Sequence, residues 1–445
     1  MTDGVLRHEI AGTVSTEAVF ALLCGDDTDV FWLDGGSMSY LGAGERWEPG
    51  APVLEALRVE LDASPRRSLA LVGWLGYELL AETVGADAPL DLGRRSRYAD
   101  AAFLRVTRAV RVSREGRATL LAVGDRWEGE AERWRRETAT ALDRLVPADP
   151  ADGEPGGAEA GSGAEAGSGT RVTWRDSDAE YLAKVAACQE AIRAGDAYVL
   201  NLTTEATVAG RFDPVDVHAR LRRASPSDHG ALLRIGGVSL VSSSPEVFLE
   251  IGADGILSTS PVKGTRGRRV DAAADARVAG ELAADPKERA ENTMIVDLMR
   301  NDLARVCEPG TVRVTRMLAV ETQSRVHQLV STVEGRLRAG AGAVDALAAT
   351  FPAGSMTGTP KRSAIALLDG FEGRARGLYA GAFGHVGFGG RTELAMTIRS
   401  IVIDGEAATV GVGGGITALS DPPAELAEVK LKAAPLLAVL GVAQP

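Results

Sequence analysis

Residues 149–170 read DPADGEPGGAEAGSGAEAGSGT, with the hexamer AEAGSG twice in tandem. A run of Gly, Ala, Ser and Glu with no large apolar side chain cannot bury enough surface to offset the entropy lost on ordering it. Whatever core this chain forms is therefore assembled from the residues on either side. The composition predicts a flexible linker or a long surface loop. It divides the chain into an N-terminal region, 1–148, a linker, 149–171, and a larger region, 172–445. The chain of 445 residues is 45% hydrophobic and 25% charged, which is ample for a sizeable core.

Before the linker, VFWLDGG (Val30–Gly36) and SLALVGWLGYELL (Ser68–Leu80) are short apolar runs broken by glycine. AAFLRVTRAVRVSREG (Ala101–Gly116) ends in alternation, and with the RATLLAVGD that follows it predicts a hairpin. After the linker, Ser177 and Glu180 have capping-box spacing, Tyr181, Val185, Cys188 and Ile192 share a helical face, and Gly195 ends the helix. Strands follow at AYVLNLTTEATV and across GALLRIGGVSLVSSSPEVFLEI, then a long helix opens at Asp285–Pro286. Helices at Val344–Thr350 and Lys361–Leu368 alternate with strands at Tyr379–Phe388, Glu393–Ile403 and Ala407–Val412. Antiparallel strands with interspersed helices predict an α+β fold of large size.

The formal net charge of −12 leaves no basic footprint for nucleic acid. It also means that any anionic ligand must be held by local cations. No stretch approaches the roughly 18 apolar residues of a membrane span, and MTDGVLRHEI does not resemble a secretory signal, so a cytoplasmic location is expected. Three cysteines (Cys24, Cys188, Cys307) without CxxC spacing and five scattered histidines argue against a disulfide framework and a thiolate or histidine metal centre. Any metal is expected to be hard and oxygen-bound.

Within these limits a few residues have the chemistry for catalysis. In SPVKGTRGR, Lys263 is expected on a loop, its amine free to enter a cleft and act as a nucleophile if its pKa falls. In SSSPE, Glu246 follows a strand and precedes Val247 and Phe248, where burial would make it a general acid. Glu291 shares a helical face with Ile295, Leu298 and Asp302, and Glu425 and Glu428 lie three apart in AELAEVKLKA. Three such carboxylates suit Mg²⁺. GSMTGTPK (Gly354–Lys361) and GVGGGI (Gly411–Ile416) offer backbone amides to an anion without matching a Walker loop or GxGxxG. Arg399, alternating against the apolar residues of MTIRSIVI, is a candidate carboxylate clamp. Each residue alone also fits a solvated surface group.

In order, SSSPE, SPVKGT, KERAENTMIVDLMRNDLARV, VHQLVSTVEG, FPAGSMTGTPK, GAFGHVGF, ELAMTIRS, GVGGGI and AELAE resemble the chorismate-utilising enzyme family. That family includes anthranilate synthase component I, aminodeoxychorismate synthase component I, and the isochorismate and salicylate synthases. The match runs from about Ser177 to the C-terminus, and FWLDGG and GWLGYEL resemble the family's N-terminal region. The resemblance implies two large antiparallel sheets packed with flanking helices, with the active site between them. Lys263 is similar to the lysine of the aminodeoxychorismate branch, where anthranilate synthases carry alanine. Val199 stands at or beside the position where isochorismate and salicylate synthases carry a water-activating lysine and aminating members usually carry Gln. Gln328 replaces the histidine of pyruvate-eliminating members, which implies a product that keeps its enolpyruvyl ether.

By the same resemblance, Glu291, Glu425 and Glu428 hold Mg²⁺ against the ring carboxylate of chorismate. Tyr379, Arg399 and the amides of Gly413, Gly414 and Gly415 contact substrate, and Ser355 lies close to it. Glu246 is the acid, Lys263 the covalent nucleophile, and ammonia comes from a glutamine amidotransferase partner. None of the three cysteines has the G-x-C-x-G context that such a glutaminase needs. The alternatives are an anthranilate-type or other chorismate aminase and a non-catalytic family member. The destination of the product stays open between folate and a specialised aromatic metabolite, as does an aromatic effector site in the N-terminal half.

Overall fold

The computed structural model describes residues 4–24, 27–63, 68–84, 94–145, 171–323, 326–387 and 391–442. Apart from Arg171, the linker read at 149–171 lies outside them. The described strands form a twelve-stranded and a ten-stranded sheet. All their pairings are antiparallel. Helices cover the outer faces, as the α+β reading expects.

Both sheets draw strands from before and after residues 149–171. In the larger sheet Val30–Gly35 pairs with His229–Ile235, and in the smaller one Ala70–Leu75 pairs with Ala382–Val386. The period-two alternation of a strand explains the layering. Along Val30–Gly35, Phe31 and Leu33 join a core between the sheets with Val72, Trp74, Leu104 and Phe383. Val30 and Trp32 face the other way, into a core shared with helices. Each fully buried Phe or Leu contributes about 1.5–3 kcal/mol. A third core packs the smaller sheet against the helices Pro286–Ala304 and Ala343–Thr350.

Helix boundaries follow their caps. Ser177 accepts from the Glu180 amide while Glu180 accepts from the Ser177 amide, and Gly195 closes the helix Asp178–Ala194 at φ 88°. Asp285 accepts from the Lys287 and Glu288 amides at 3.0 and 3.2 Å, and Pro286 opens the helix Pro286–Ala304.

The run read as one strand at Glu393–Ile403 is two. Thr392–Met396 belongs to the smaller sheet and Ser400–Asp404 to the larger one. Arg399 sits at the break with φ 51°, so it is not part of an alternating strand as expected. The run at Ala101–Gly116 divides likewise into Ala101–Val106 and Arg108–Ser113, one in each sheet. A third passage occurs at Pro245–Glu246, between Val238–Ser244 and Val247–Ile251. Two of these crossovers lie side by side: the Met396 amide donates to the Glu246 carbonyl at 3.0 Å, and the Ser243 amide to the Arg399 carbonyl at 3.1 Å. Glu246 and Arg399 thus stand where the sheets exchange strands.

Candidate active site

A cleft of about 810 Å³ opens at these two crossovers and extends along the helices Pro286–Ala304 and Pro422–Val439. Glu246, Lys263, Glu291, Ser355, Tyr379, Arg399, Gly413, Gly415, Glu425 and Glu428 all line it. Of the residues expected in the site, Gly414 alone is not on the wall; a Cβ there would stand 3.4 Å from Glu425 Oε2.

Glu246 is 6% exposed, and its Oε1 accepts from the Ser355 hydroxyl at 2.6 Å. Burial pushes its carboxyl above the ordinary range, against the opposing pull of Lys263 and of the Ser355 hydrogen bond. A carboxyl in that environment keeps its proton to higher pH and can donate it to a leaving oxygen.

Lys263 lies on the strand Val262–Gly267, not on a loop. It stands opposite Leu329 at a shift in register, where Gly264 takes φ 77°. A glycine is needed there, since a Cβ would meet Leu282 at 2.8 Å. The Lys263 Nζ donates to the Ser355 carbonyl at 3.4 Å. One residue therefore touches both the acid and the amine. Val199, Glu291 and Ser355 join Lys263 around a small side pocket of about 10 Å³, where Val199 supplies no ionisable group.

The three carboxylates come from two helices. Lys287 Nζ is 3.1 Å from Glu425 Oε1 and 4.0 Å from Glu291 Oε1. Lys432 Nζ is 2.8 Å from Glu428 Oε1 and donates to the Gly413 carbonyl at 2.9 Å. Burial raises the Glu291 carboxyl, with Lys263 and Lys287 opposing. Burial also works to raise Glu428, but Lys432 and the other nearby ammonium groups outweigh it and hold that carboxyl below the usual range. Among the described residues, no three acidic, histidine or cysteine side chains stand close enough to form a ready metal cage. The donor set nonetheless fits a hard divalent ion, being all carboxylate, and an ammonium already bridges Glu291 and Glu425.

Tyr379 packs on Gly411, where a Cβ would come 2.2 Å from the ring. Burial raises its hydroxyl well above the ordinary value, so it is a donor at neutral pH. Beneath the site Arg376 pairs with Glu372 at 2.7 Å and donates to the carbonyls of Met356 and Asn201 at 2.7 and 3.0 Å. This buried fork ties the Ser355 turn to the strand Val199–Ala209.

Lys287, Lys432, Asn201 and Arg376 were not singled out from the sequence. The spacing of Lys287 four before Glu291, Lys432 four after Glu428 and Arg376 four after Glu372 was the available signal. His327, beside Gln328, is fully engaged, with Nδ1 2.9 Å from Thr322 Oγ1 and Nε2 2.9 Å from Asp275 Oδ1.

A buried carboxyl and an amine meet at one serine between two antiparallel sheets, walled by carboxylates and lysines. Residues 26–438 match the family model described as chorismate binding enzyme, and the chain belongs to that family. An aminodeoxychorismate synthase of Streptomyces pristinaespiralis is 38% identical over 478 residues, covering 97% of this chain and 64% of that protein. This chain thus spans just under two thirds of that relative's length. Anthranilate synthase component 1 of Streptomyces coelicolor is 37% identical over 456 residues, covering 98% of this chain and 88% of that one. The solved menaquinone-specific isochorismate synthase of Escherichia coli superposes with a TM-score of 0.72 at 20% identity, covering 99% and 95% of the two chains, which establishes the shared fold. Among the described residues no helix is long and apolar enough to cross a membrane.

Proposed function

We propose that this chain aminates chorismate at C4, giving 4-amino-4-deoxychorismate, as component I of an aminodeoxychorismate synthase. The observation that carries this reading is the convergence of Lys263 and Glu246 on Ser355, at 3.4 and 2.6 Å. An amine and a buried carboxyl on one short stretch of wall support their acting together as nucleophile and acid.

Chorismate is a dianion, and Arg399, Lys287, Lys432 and backbone amides are the cleft's means of holding it. Mg²⁺ held by Glu291, Glu425 and Glu428 would neutralise the ring carboxylate. In the first displacement the Lys263 amine, acting in its unprotonated form, forms a bond to C2, both conjugated ring double bonds shift (C1=C2 to C1=C6 and C5=C6 to C4=C5), and the C4–O bond breaks. Glu246 gives its proton to the departing oxygen, which leaves as water. In the second, ammonia forms a bond to C4, both double bonds shift back, and the C2–N bond breaks, returning its electron pair to Lys263. The new ammonium group supplies the proton that restores Glu246. Two displacements relayed through the conjugated diene put the nitrogen where the hydroxyl was.

Ammonia would come from a separate glutamine amidotransferase subunit. All three cysteines are buried, and burial pushes Cys24 and Cys188 up to about 12 and Cys307 to about 11, so none offers a ready thiolate for glutamine hydrolysis. The similarity to anthranilate synthase component 1 supports a second reading, amination with loss of pyruvate.

Mass spectrometry of the products from chorismate, ammonium and Mg²⁺ decides between them. The expected result is 4-amino-4-deoxychorismate without pyruvate, and a protein adduct of chorismate less water on Lys263 when ammonium is omitted. Anthranilate with equimolar pyruvate would overturn the reading, as would full activity in Lys263→Ala.

A further inference from the structure

Gln328 lies on the strand Val326–Arg336, opposite Thr265, in the same ladder that sets Lys263 against Leu329. It lines the cleft and is 4% exposed, with its amide nitrogen 3.5 Å from the Thr265 hydroxyl. Its amide oxygen is buried and has no hydrogen-bond partner among the described residues. A buried carbonyl without a donor is costly, and one in the wall of a reaction cleft is explained most directly by a donor arriving with the reactants.

The reactants narrow the choice. Chorismate carries two carboxylates, an enol ether and a single hydroxyl, so it brings many acceptors and one O–H donor. In the proposed reaction that hydroxyl leaves by way of Glu246. The other donors are the N–H groups of Lys263 and of ammonia. Lys263 already donates to the Ser355 carbonyl, and it is committed to C2 when ammonia is needed. Ammonia remains. A neutral amide oxygen also suits it chemically, because it accepts an N–H without supplying a proton that would convert ammonia into non-nucleophilic ammonium.

Resting on the C4-amination reading, we propose that Gln328 is a positioning residue for ammonia: its amide oxygen accepts an N–H and aims the nitrogen lone pair at the ring. No bond forms or breaks at Gln328 itself. The role belongs to the second displacement alone.

The test compares the purified chain with Gln328→Met, which keeps length and volume but lacks the acceptor, and Gln328→Glu, which retains one. Ammonium chloride is the nitrogen source. The proposal expects the KM for ammonium to rise roughly tenfold in Gln328→Met, as loss of one hydrogen bond implies, and to return most of the way in Gln328→Glu. The KM for chorismate should stay within about twofold, and the Lys263 adduct should form as fast as in the parent when ammonium is omitted. An unchanged ammonium KM in Gln328→Met, or a parallel loss of adduct formation and turnover, would overturn it. Absence of any adduct in the parent would count against the Lys263 chemistry instead, and the ammonium KM would still decide the role of Gln328.

Discussion

The Ser355 hydroxyl donates to Glu246 at 2.6 Å, and that bond favours the carboxylate form of a group that burial otherwise drives toward the acid. The two influences oppose each other and burial is the larger. A general acid works only while protonated, so turnover should fall as pH rises through the Glu246 pKa, which lies above the ordinary carboxylate range. Ser355→Ala removes a bond to the charged form and should move this alkaline limb to higher pH. Glu246→Gln should abolish the limb and lower kcat by roughly 10²–10⁴-fold. Profiles of kcat/KM against pH check both, and a limb that moves to lower pH in Ser355→Ala refutes the assignment.

Glu291 and Glu425 share Lys287, and Glu428 holds Lys432. If these carboxylates exchange an ammonium for Mg²⁺ when substrate enters, chelation should stop turnover and added Mg²⁺ should restore it. Glu428→Gln should raise the Mg²⁺ concentration at half-maximal rate several-fold. Calorimetry would show Mg²⁺ binding strengthened by chorismate. Undiminished turnover in excess chelator is incompatible with the proposed metal site.

Glutamine as sole nitrogen source should give negligible product with this chain alone, whereas ammonium salts should support turnover. Adding a glutamine amidotransferase subunit should restore use of glutamine. The measurement is product formed per mole of glutamine consumed. Robust turnover without a second protein would contradict the partner assignment.

Glu372 and Arg376 form an ion pair whose side chains are only 2% and 1% exposed. Removing one member strands a charge in low dielectric, so Arg376→Met should cost about 3–5 kcal/mol of stability. The double variant Glu372→Gln, Arg376→Met should recover part of it. Denaturant unfolding reads both, and a loss below about 1 kcal/mol in the single variant would contradict the accounting.

Local signals in the sequence carried most of the fold. Ser177 with Glu180, Gly195, and Asp285 before Pro286 mark helix ends through bonds that involve only neighbouring residues. The sheet crossovers were illegible for a matching reason. The alternation around Thr107 and around Arg399 looks alike whichever sheet receives it, because both sheets bury both faces. That is why Arg399 was read as a strand residue while the structure gives it φ 51°. The site carboxylates were legible as a helical pattern, but their lysine partners resemble ordinary solvated helix charges until the fold turns them into the cleft. Gln328 could be marked as unusual from the sequence; only the structure shows that its oxygen lacks a partner.

The sharing of each sheet between strands before residue 149 and strands after residue 171 also bears on how the chain is made. During synthesis Val30–Gly35 emerges long before its neighbour His229–Ile235, and Ala70–Leu75 waits longer still for Ala382–Val386. Until then two apolar strand edges, FWL and ALVGWL, have no hydrogen-bonding neighbour on one side. Unpaired edges of this kind invite association with other chains, and pairings so distant in sequence form slowly. A nascent or truncated chain lacking these partner strands is therefore the aggregation-prone species, and ribosome-bound chains ending before residue 382 should be the ones that chaperones hold.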